Sequence, residues 1–401
     1  MAWLTDHQAA IERRVFTARR GHAKPPLFLY DVTSSYLEGH CNALAAFGYN
    51  RDGKAGKAQV VVGLLCDDEG APVSTDVFAG NTPDLATVAP QIRKVAQRFG
   101  CAPVTFVGDR GMLKSGQLTA LTQAGFHYIT ALTKPQIERF LKQGVLQLAW
   151  FADHVYEVEE AGLRYILRRN PQRAAEVAAG RQDKHDTLAQ FVGKQNAYLH
   201  AHPRAQVAVA LRAVQTKLVR LKVVEWLRLE AEGRTLQLRV DERAQRHAAR
   251  LDGCYVLKTD LPHAVAAAQV VHDRYKDLAL VEQAFRTCKT AHLELRPWYV
   301  RTEASTRGHA LVVMLAYLIV RELRQAWSPL NLTVEEGLTQ LATLCALEIC
   351  VQDQEPFSRV PKPRGISQRL LEAVGVQLPD ILPQRKVPVV TRTKLPERRK
   401  H

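Results

Sequence analysis

The chain has no apolar run long enough to cross a bilayer. Its longest, residues 310–320, falls well short of the roughly 20 residues a spanning helix needs, and it reads as a buried helix instead. The N-terminus carries Asp6 and Glu12 and lacks the apolar centre of a secretory leader. Seven cysteines stand at 41, 66, 101, 254, 288, 345 and 350, an odd number at irregular spacing with no CxxC pair. That excludes a disulfide framework and a zinc cluster of the usual spacing, and a reducing cytoplasm is the simplest setting. No segment repeats. No long amphipathic basic helix is present, which argues against a membrane surface as partner.

What the chain does have is positive charge. Its net charge is +15 and its pI about 9.6, a balance that suits a polyanionic partner, nucleic acid being the commonest. The excess is not spread evenly. Residues 1–160 hold 16 basic and 16 acidic side chains, and 251–355 hold 10 and 13. Residues 161–250 hold 18 basic against 8 acidic, and 356–401 hold 11 against 3. A basic surface that serves only solubility would explain the total but not this segregation. With 401 residues, 46% of them hydrophobic, the chain can bury a large core in two or three domains.

The hydrophobic pattern gives an order of elements. Residues 3–20 read as a helix closed by Gly21, with Pro25-Pro26 beyond it. A strand comes next at 27–31, then an apolar run 60–66 and a hairpin partner at 72–78 across the Asp67-Asp68-Glu69-Gly70 turn. Thr82 and Pro83 read as N-cap and first turn of a helix reaching about 97. Strand 104–108, helix 114–124 and strand 127–132 complete an alternation that implies an α/β layer with a mixed sheet. Residues 135–250 break the pattern: a hairpin around 160–162, helices at 183–200 and 207–230, and a strand at 235–240. Because strand 254–257 and helix 277–289 then resume it, this stretch reads as an α+β insertion. The boundaries are 1–134 for the first part of the α/β domain, 135–250 for the insertion, 251–355 for the second part, and 356–401 for a basic, Pro-rich tail poor in periodicity.

Three acids stand in contexts suited to metal-dependent phosphoryl transfer. Asp31 ends the apolar run 27–30, and Asp109 ends the run 104–108. Glu282 lies on the helix at 277–289, where Leu278, Val281, Phe285 and Cys288 form an apolar stripe and Glu282 falls at its edge, half-buried. Tyr275, Glu282 and Lys289 line up at spacings of seven, with Arg286 one turn past the acid. Two carboxylates at strand ends and one on a packed helix can hold two divalent cations, Mg²⁺ or Mn²⁺, around a phosphodiester. Taken singly, each aspartate also reads as a turn former or helix cap, Glu282 as a solvated partner of Arg286, and Tyr275 and Lys289 as packing and surface residues.

The local sequences around these acids resemble the DDE transposases of bacterial insertion sequences, in the branch with a long insertion before the third acid and a Tyr-Arg-Glu-Lys signature. Tyr30-Asp31-Val32-Thr33 is similar to the first-acid block. The segments 48–53, 59–65 and 80–84 are similar to the family's stretch just after that block, and Val107-Gly108-Asp109-Arg110-Gly111-Met112 to the second-acid block. Residues 275–289, then Leu295-Arg296-Pro297 and Gly308-His309-Ala310, resemble the third-acid region. Where the signature has Arg, three residues after Tyr275, this chain has Leu278, so the contact is either lost or taken by Arg274 or Arg286. Only 30 residues precede Asp31, fewer than the family usually places there, which reads as N-terminal truncation.

The resemblance implies a ribonuclease-H-like mixed sheet flanked by helices, interrupted by the insertion. It implies cut-and-paste transposition: catalytic and metal-binding Asp31, Asp109 and Glu282, with Mg²⁺ or Mn²⁺ as cofactor. DNA, both element ends and target, is the implied partner, bound by a homodimer in the bacterial cytoplasm near the nucleoid. Tyr275, Arg286, Lys289 and Arg110 are the expected phosphate contacts near the chemistry, and Arg212, Lys217 and Arg220 those of the insertion. Three other readings stay open: an inactive DNA-binding remnant, a nuclease of the same fold without strand transfer, and a metal phosphatase that does not act on DNA.

Overall fold

The computed structural model describes residues 1–382 apart from 22, 40, 102, 291, 297 and 350–356. The chain divides into two compact units, Met1–Met314 and Leu315–His401.

The first unit opens with helix α1 (Ala2–Arg20), closed by Gly21 at φ 58°, a left-handed value that glycine adopts without strain. Strands β1 (Leu27–Tyr36), β2 (Gln59–Cys66) and β3 (Pro72–Ala79) form an antiparallel meander. Every residue of β2 is buried, as expected for an apolar run covered on both faces. Glu12 of α1 is fully buried, accepts hydrogen bonds from Ser74 Oγ (3.0 Å) and Thr75 N (3.2 Å) of β3, and pairs with Arg98. These bonds fix α1 to the meander.

Helix α2 (Asp84–Arg93) starts one residue later than expected, with Pro83 as N-cap. Then come β4 (Thr105–Gly108), α3 (Ser115–Gln123) and β5 (His127–Ala131). Strand β4 pairs parallel with both β1 and β5. After α4 (Lys134–Lys142), the hairpin of β6 (Tyr156–Glu160) and β7 (Leu163–Arg169) leads into α5 (Pro171–Ala201). Helix α6 (Val207–Leu221), the hairpin β8 (Leu227–Glu232) and β9 (Thr235–Val240), and α7 (Glu242–Ala249) come after it. Strand β10 (Cys254–Thr259) returns to the sheet, followed by α8 (Ala268–Lys276), α9 (Leu278–Cys288) and α10 (Glu303–Trp327).

The large sheet has the order β3-β2-β1-β4-β5-β10-β7-β6. Its first five strands, with only β2 antiparallel to its neighbours, form the ribonuclease-H-like arrangement. Phe28, Tyr30 and Val32 of β1 join Val61, Leu65, Val88 and Phe106 in the core on one face. Strand alternation therefore turns Leu29 and Asp31 to the other face.

Three differences from the sequence reading stand out. Strand β1 does not stop at Asp31 but runs on to Tyr36, because Val32 to Tyr36 keep pairing with β2 through Gln59. The β6–β7 hairpin, read as part of the insertion, belongs to the large sheet: β7 pairs antiparallel with β10 over six positions, and Tyr165, Ile166 and Leu167 are all buried. The interruption of the sheet therefore spans 170–253, and its small core gathers Leu188, Val192, Val214, Leu218, Trp226 and Leu236. Helix α6 ends at Leu221, where Lys222 takes the left-handed conformation (φ 55°), and 227–232 is a strand rather than more helix.

In the second unit, part of the segment read as an irregular tail is ordered. Strands β11 (Leu347–Ile349), β12 (Phe357–Arg359) and β13 (Ile381–Leu382) form a small sheet, and α11 (Val334–Leu341) packs against α12 (Gly365–Ala373). Leu370 of α12 is fully buried, and its carbonyl accepts the Trp327 indole N–H at 3.0 Å. The rest of the expected tail, 383–401, lies outside the described residues, as does Pro297. Among the described residues no helix is long and apolar enough to cross a membrane.

Candidate active site

The parallel register places the two aspartates together. Tyr30 of β1 stands opposite Gly108 of β4, so Asp31 and Asp109 are the next residues on adjacent chains just past the last parallel pair. At Gly108 the β4 strand ends, and the Asp109 carbonyl accepts the Met112 N–H at 3.0 Å as the chain turns away. Asp31 is thus held mid-strand at the point where its parallel neighbour stops.

The third acid comes from α9. Asp277 separates α8 from α9, so Tyr275 belongs to the earlier helix and only Glu282 to the later one. The buried stripe of α9 is Val281, Ala284, Phe285 and Cys288, whereas Leu278 is only partly covered. Against the expected stripe this is a rotation toward Ala284, whose small side chain allows close packing. It carries Glu282 out of the half-buried position expected and leaves it exposed.

Asp31, Asp109 and Glu282 nevertheless line one open cleft, with Tyr275, Tyr255, Asn170, Lys276, Leu278 and Ala279. The Tyr275 hydroxyl donates to Asp109 Oδ1 at 3.2 Å, and the Arg110 N–H to the same oxygen at 2.7 Å. Burial and the Asp109 charge push the Tyr275 phenol well above its usual range, so it stays a donor. Asp31 Oδ1 accepts the Val32 N–H at 2.8 Å. Burial raises the Asp31 carboxyl to about 7, with Asp109 and Glu282 adding to the rise against the opposing pull of the Val32 N–H and of Arg51.

The expected phosphate contacts are dispersed. Arg110 is exposed and lines a second pocket with Lys134, Tyr255 and Tyr275. Arg286 is exposed but does not line the cleft. Lys289 is turned away from it: its Nζ donates to Ser34 O (2.6 Å) and pairs with Asp52 (2.8 Å). Arg274 pairs with Asp277 at 3.2 Å, and Leu278 lines the cleft where the family signature has Arg. On α6, Arg212 and Arg220 are exposed, and the Lys217 ammonium sits 4.3 Å from the Phe191 ring centre.

The sequence reading missed Asn170, Tyr255 and Lys276. Asn170 comes directly after β7 and caps α5 by accepting the Arg173 N–H at 3.1 Å; an Asn-Pro start was a usable signal. Tyr255 Oη lies 2.6 Å from Nε2 of His272, which ties β10 to α8 beside the cleft. Nothing local announces that contact, because it joins residues 17 apart on two elements.

A mixed sheet of ribonuclease-H-like order with three carboxylates on one cleft defines the class of a phosphoryl-transfer nuclease or recombinase. The family model "Transposase DDE domain" matches residues 22–319, and the chain belongs to that family. No curated protein matches the sequence. Among solved structures, the piggyBac transposase synaptic complex with hairpin DNA, determined by cryo-EM, aligns with a TM-score of 0.41 and 6% identity. The alignment covers 74% of this chain and 47% of that one, so this chain spans about half the length of that protein.

Transposases of this family generally use divalent metal ions. The donor set here fits them in chemistry: three carboxylates, hard oxygen ligands, none paired with Lys or Arg among the described residues. Among the described residues no three His, Cys, Asp or Glu side chains are close enough to ligate one ion together.

Proposed function

We propose that this protein is a transposase that cuts DNA at an element end and joins the freed end to target DNA within this cleft. The observation that carries the reading is that Asp31, Asp109 and Glu282 line a single cleft and that none of them is ion-paired among the described residues. These three would hold divalent cations, which when bound polarise a scissile phosphate and acidify its attacker. Tyr275 orients Asp109 by donating to Oδ1, leaving the other oxygen free to ligate. Lys276 and Asn170 are placed to meet the phosphates on either side of the bond.

In the first step a water oxygen forms a P–O bond as the P–O3′ bond breaks, and O3′ leaves as a hydroxyl after taking a proton. In the second, that 3′-hydroxyl attacks a target phosphate, one P–O bond replaces another, and the proton passes to the leaving 3′ oxygen. Joining two ends calls for two copies of the chain on DNA. The exposed Arg212 and Arg220 of the basic insertion are suited to backbone contacts away from the cleft.

Asp109→Ala tests the assignment. Mg²⁺-dependent nicking should fall at least about 100-fold, since the supporting partners of a metal ligand alone are worth 10–100-fold. Binding to duplex DNA should persist. Undiminished nicking by the variant would remove Asp109 from the chemistry, and nicks without joined products in the wild type would restrict the reaction to hydrolysis.

A further inference from the structure

Between β1 and β2 the chain runs Phe47-Gly48-Tyr49-Asn50-Arg51-Asp52-Gly53-Lys54-Ala55-Gly56-Lys57. Phe47 is 73% exposed and Tyr49 82% exposed. One exposed aromatic needs no explanation, but two on a segment whose backbone is fixed at almost every step do. Asn50 Nδ2 donates to Lys54 O (3.0 Å), and Asn50 Oδ1 accepts from Asp52 N (2.9 Å). Ser34 Oγ accepts from Arg51 N (2.7 Å), and Gln59 Nε2 donates to both Tyr49 O (3.0 Å) and Gly80 O (2.9 Å). The Arg51 guanidinium grips both oxygens of Asp84 at 2.6 and 2.7 Å. Gly48 is required for this closeness, because a Cβ there would overlap the Gly80 carbonyl oxygen. Both rings are thus presented to solvent on a stiff frame, and binding against them costs little ordering.

Tyr49 and Arg51 also form one wall of a pocket of about 350 Å³ completed by Gln59, Asn81, Gly111 and Lys114. The turn after β4 divides this pocket from the carboxylate cleft: Asp109 lines the cleft, while Gly111 and Lys114 line the pocket. Of the charges on the 47–57 segment, Asp52 is neutralised within the protein by Lys289 and Arg296. Arg51 is likewise paired with Asp84 and Lys57 with Glu38, so the outward character is mainly aromatic, with Lys114 and amide and hydroxyl groups in the pocket behind.

We propose that this loop is a stacking platform for an unpaired nucleotide of the DNA held at the carboxylate cleft. It rests on the reading of that cleft as a DNA site. An aromatic face accepts any base but reaches only one that has left the duplex stack. The base lies against Tyr49 and Phe47, Asn81 faces its polar edge, and Lys114 takes the adjoining phosphate.

The test is fluorescence anisotropy with two labelled probes, a blunt duplex and the same duplex carrying a short single-stranded extension. Wild-type protein should prefer the extended probe by about tenfold, the order expected for one or two stacked bases. Phe47→Ala combined with Tyr49→Ala should bind both probes alike, at the wild-type affinity for the blunt one, and Tyr49→Trp should keep the preference. A wild type indifferent to the extension, or a double variant that retains the preference, overturns the platform. So does a double variant weakened equally on both probes, or one that loses only self-association. Absence of binding to either probe overturns the platform together with the DNA reading of the cleft, whereas Mg²⁺-dependent nicking without any preference overturns the platform alone.

Discussion

Two acidic sites, one within β1 and one in the loop after it, handle their charge in opposite ways. Asp52, 2% exposed, is balanced inside the protein: Lys289 Nζ lies 2.8 Å and Arg296 Nη1 2.7 Å from its Oδ1. Asp31 sits among Asp109 and Glu282, pairs with no cation, and has its carboxyl raised to about 7 by burial and by those neighbours. The first arrangement is complete as it stands and holds the loop after β1 to the chain after α9. The second has three acids, and neither Lys276 in the cleft nor Arg51 nearby is ion-paired with any of them. An acid whose counter-charge is built in is structural, and one whose counter-charge is missing is available for chemistry.

Removing the built-in balance should have the larger effect on stability. Asp52→Ala leaves Lys289, half-buried and with a pKa already lowered by burial, facing only the Ser34 carbonyl, and Arg296 with no partner there. Breaking a buried pair in this way costs about 3–5 kcal/mol. Denaturant unfolding should show that loss; a change below about 1 kcal/mol would make the pair ornamental, as exposed pairs are.

The opposite sign is expected at the other site. Asp31 is ordinarily ionised above about 4, but its folded-state carboxyl holds its proton to about 7. The folded state therefore binds more protons than the unfolded state in that window, so stability of the metal-free protein falls as pH rises from about 4 to about 7. Asp31→Asn removes the penalty and should stabilise the metal-free protein by about 2–4 kcal/mol at pH 8 while abolishing nicking. A variant less stable than wild type under those conditions would mean that Asp31 is already balanced by a charge within the fold.

The contrast between the two acids was only half legible in the sequence. Asp31 and Asp109 stood out because apolar runs precede them, and a parallel register of two buried strands sets them side by side. Strand order could be inferred from the alternation of strands and helices. The β6–β7 hairpin was misassigned because nothing in Leu163–Arg169 says which sheet it joins; that depends on β10, some 90 residues later. Lys289 was expected among the phosphate contacts because it lies seven residues past Glu282 on one helical line. Its partner Asp52 lies in a distant loop, and helical spacing carries no information about such a residue. The burial of Glu282 was overestimated because Ala284 looks like a weak core residue, yet its smallness is what draws α9 onto the sheet. Helix α12 went unseen because it lies in the basic, Pro-rich stretch whose composition reads as irregular.

The smallest effect gives the finest separation of the two sites. If cations bind where Asp31 loses its proton, each binding event competes with that proton. With the carboxyl at about 7, roughly one site in eleven is ionised a unit below that pH and ten in eleven a unit above. Mg²⁺ affinity, read from the rise in melting temperature with added ion, should therefore weaken roughly tenfold between pH 8 and pH 6. An ordinary carboxylate, ionised throughout that range, would give a flat response. Asp31→Asn should bind weakly and without slope. A flat response from the wild type would place the ion away from Asp31, leaving Asp109 and Glu282 as the pair that holds it, and the division between a balanced and an unbalanced acid would then run between Asp31 and its neighbours rather than between Asp31 and Asp52.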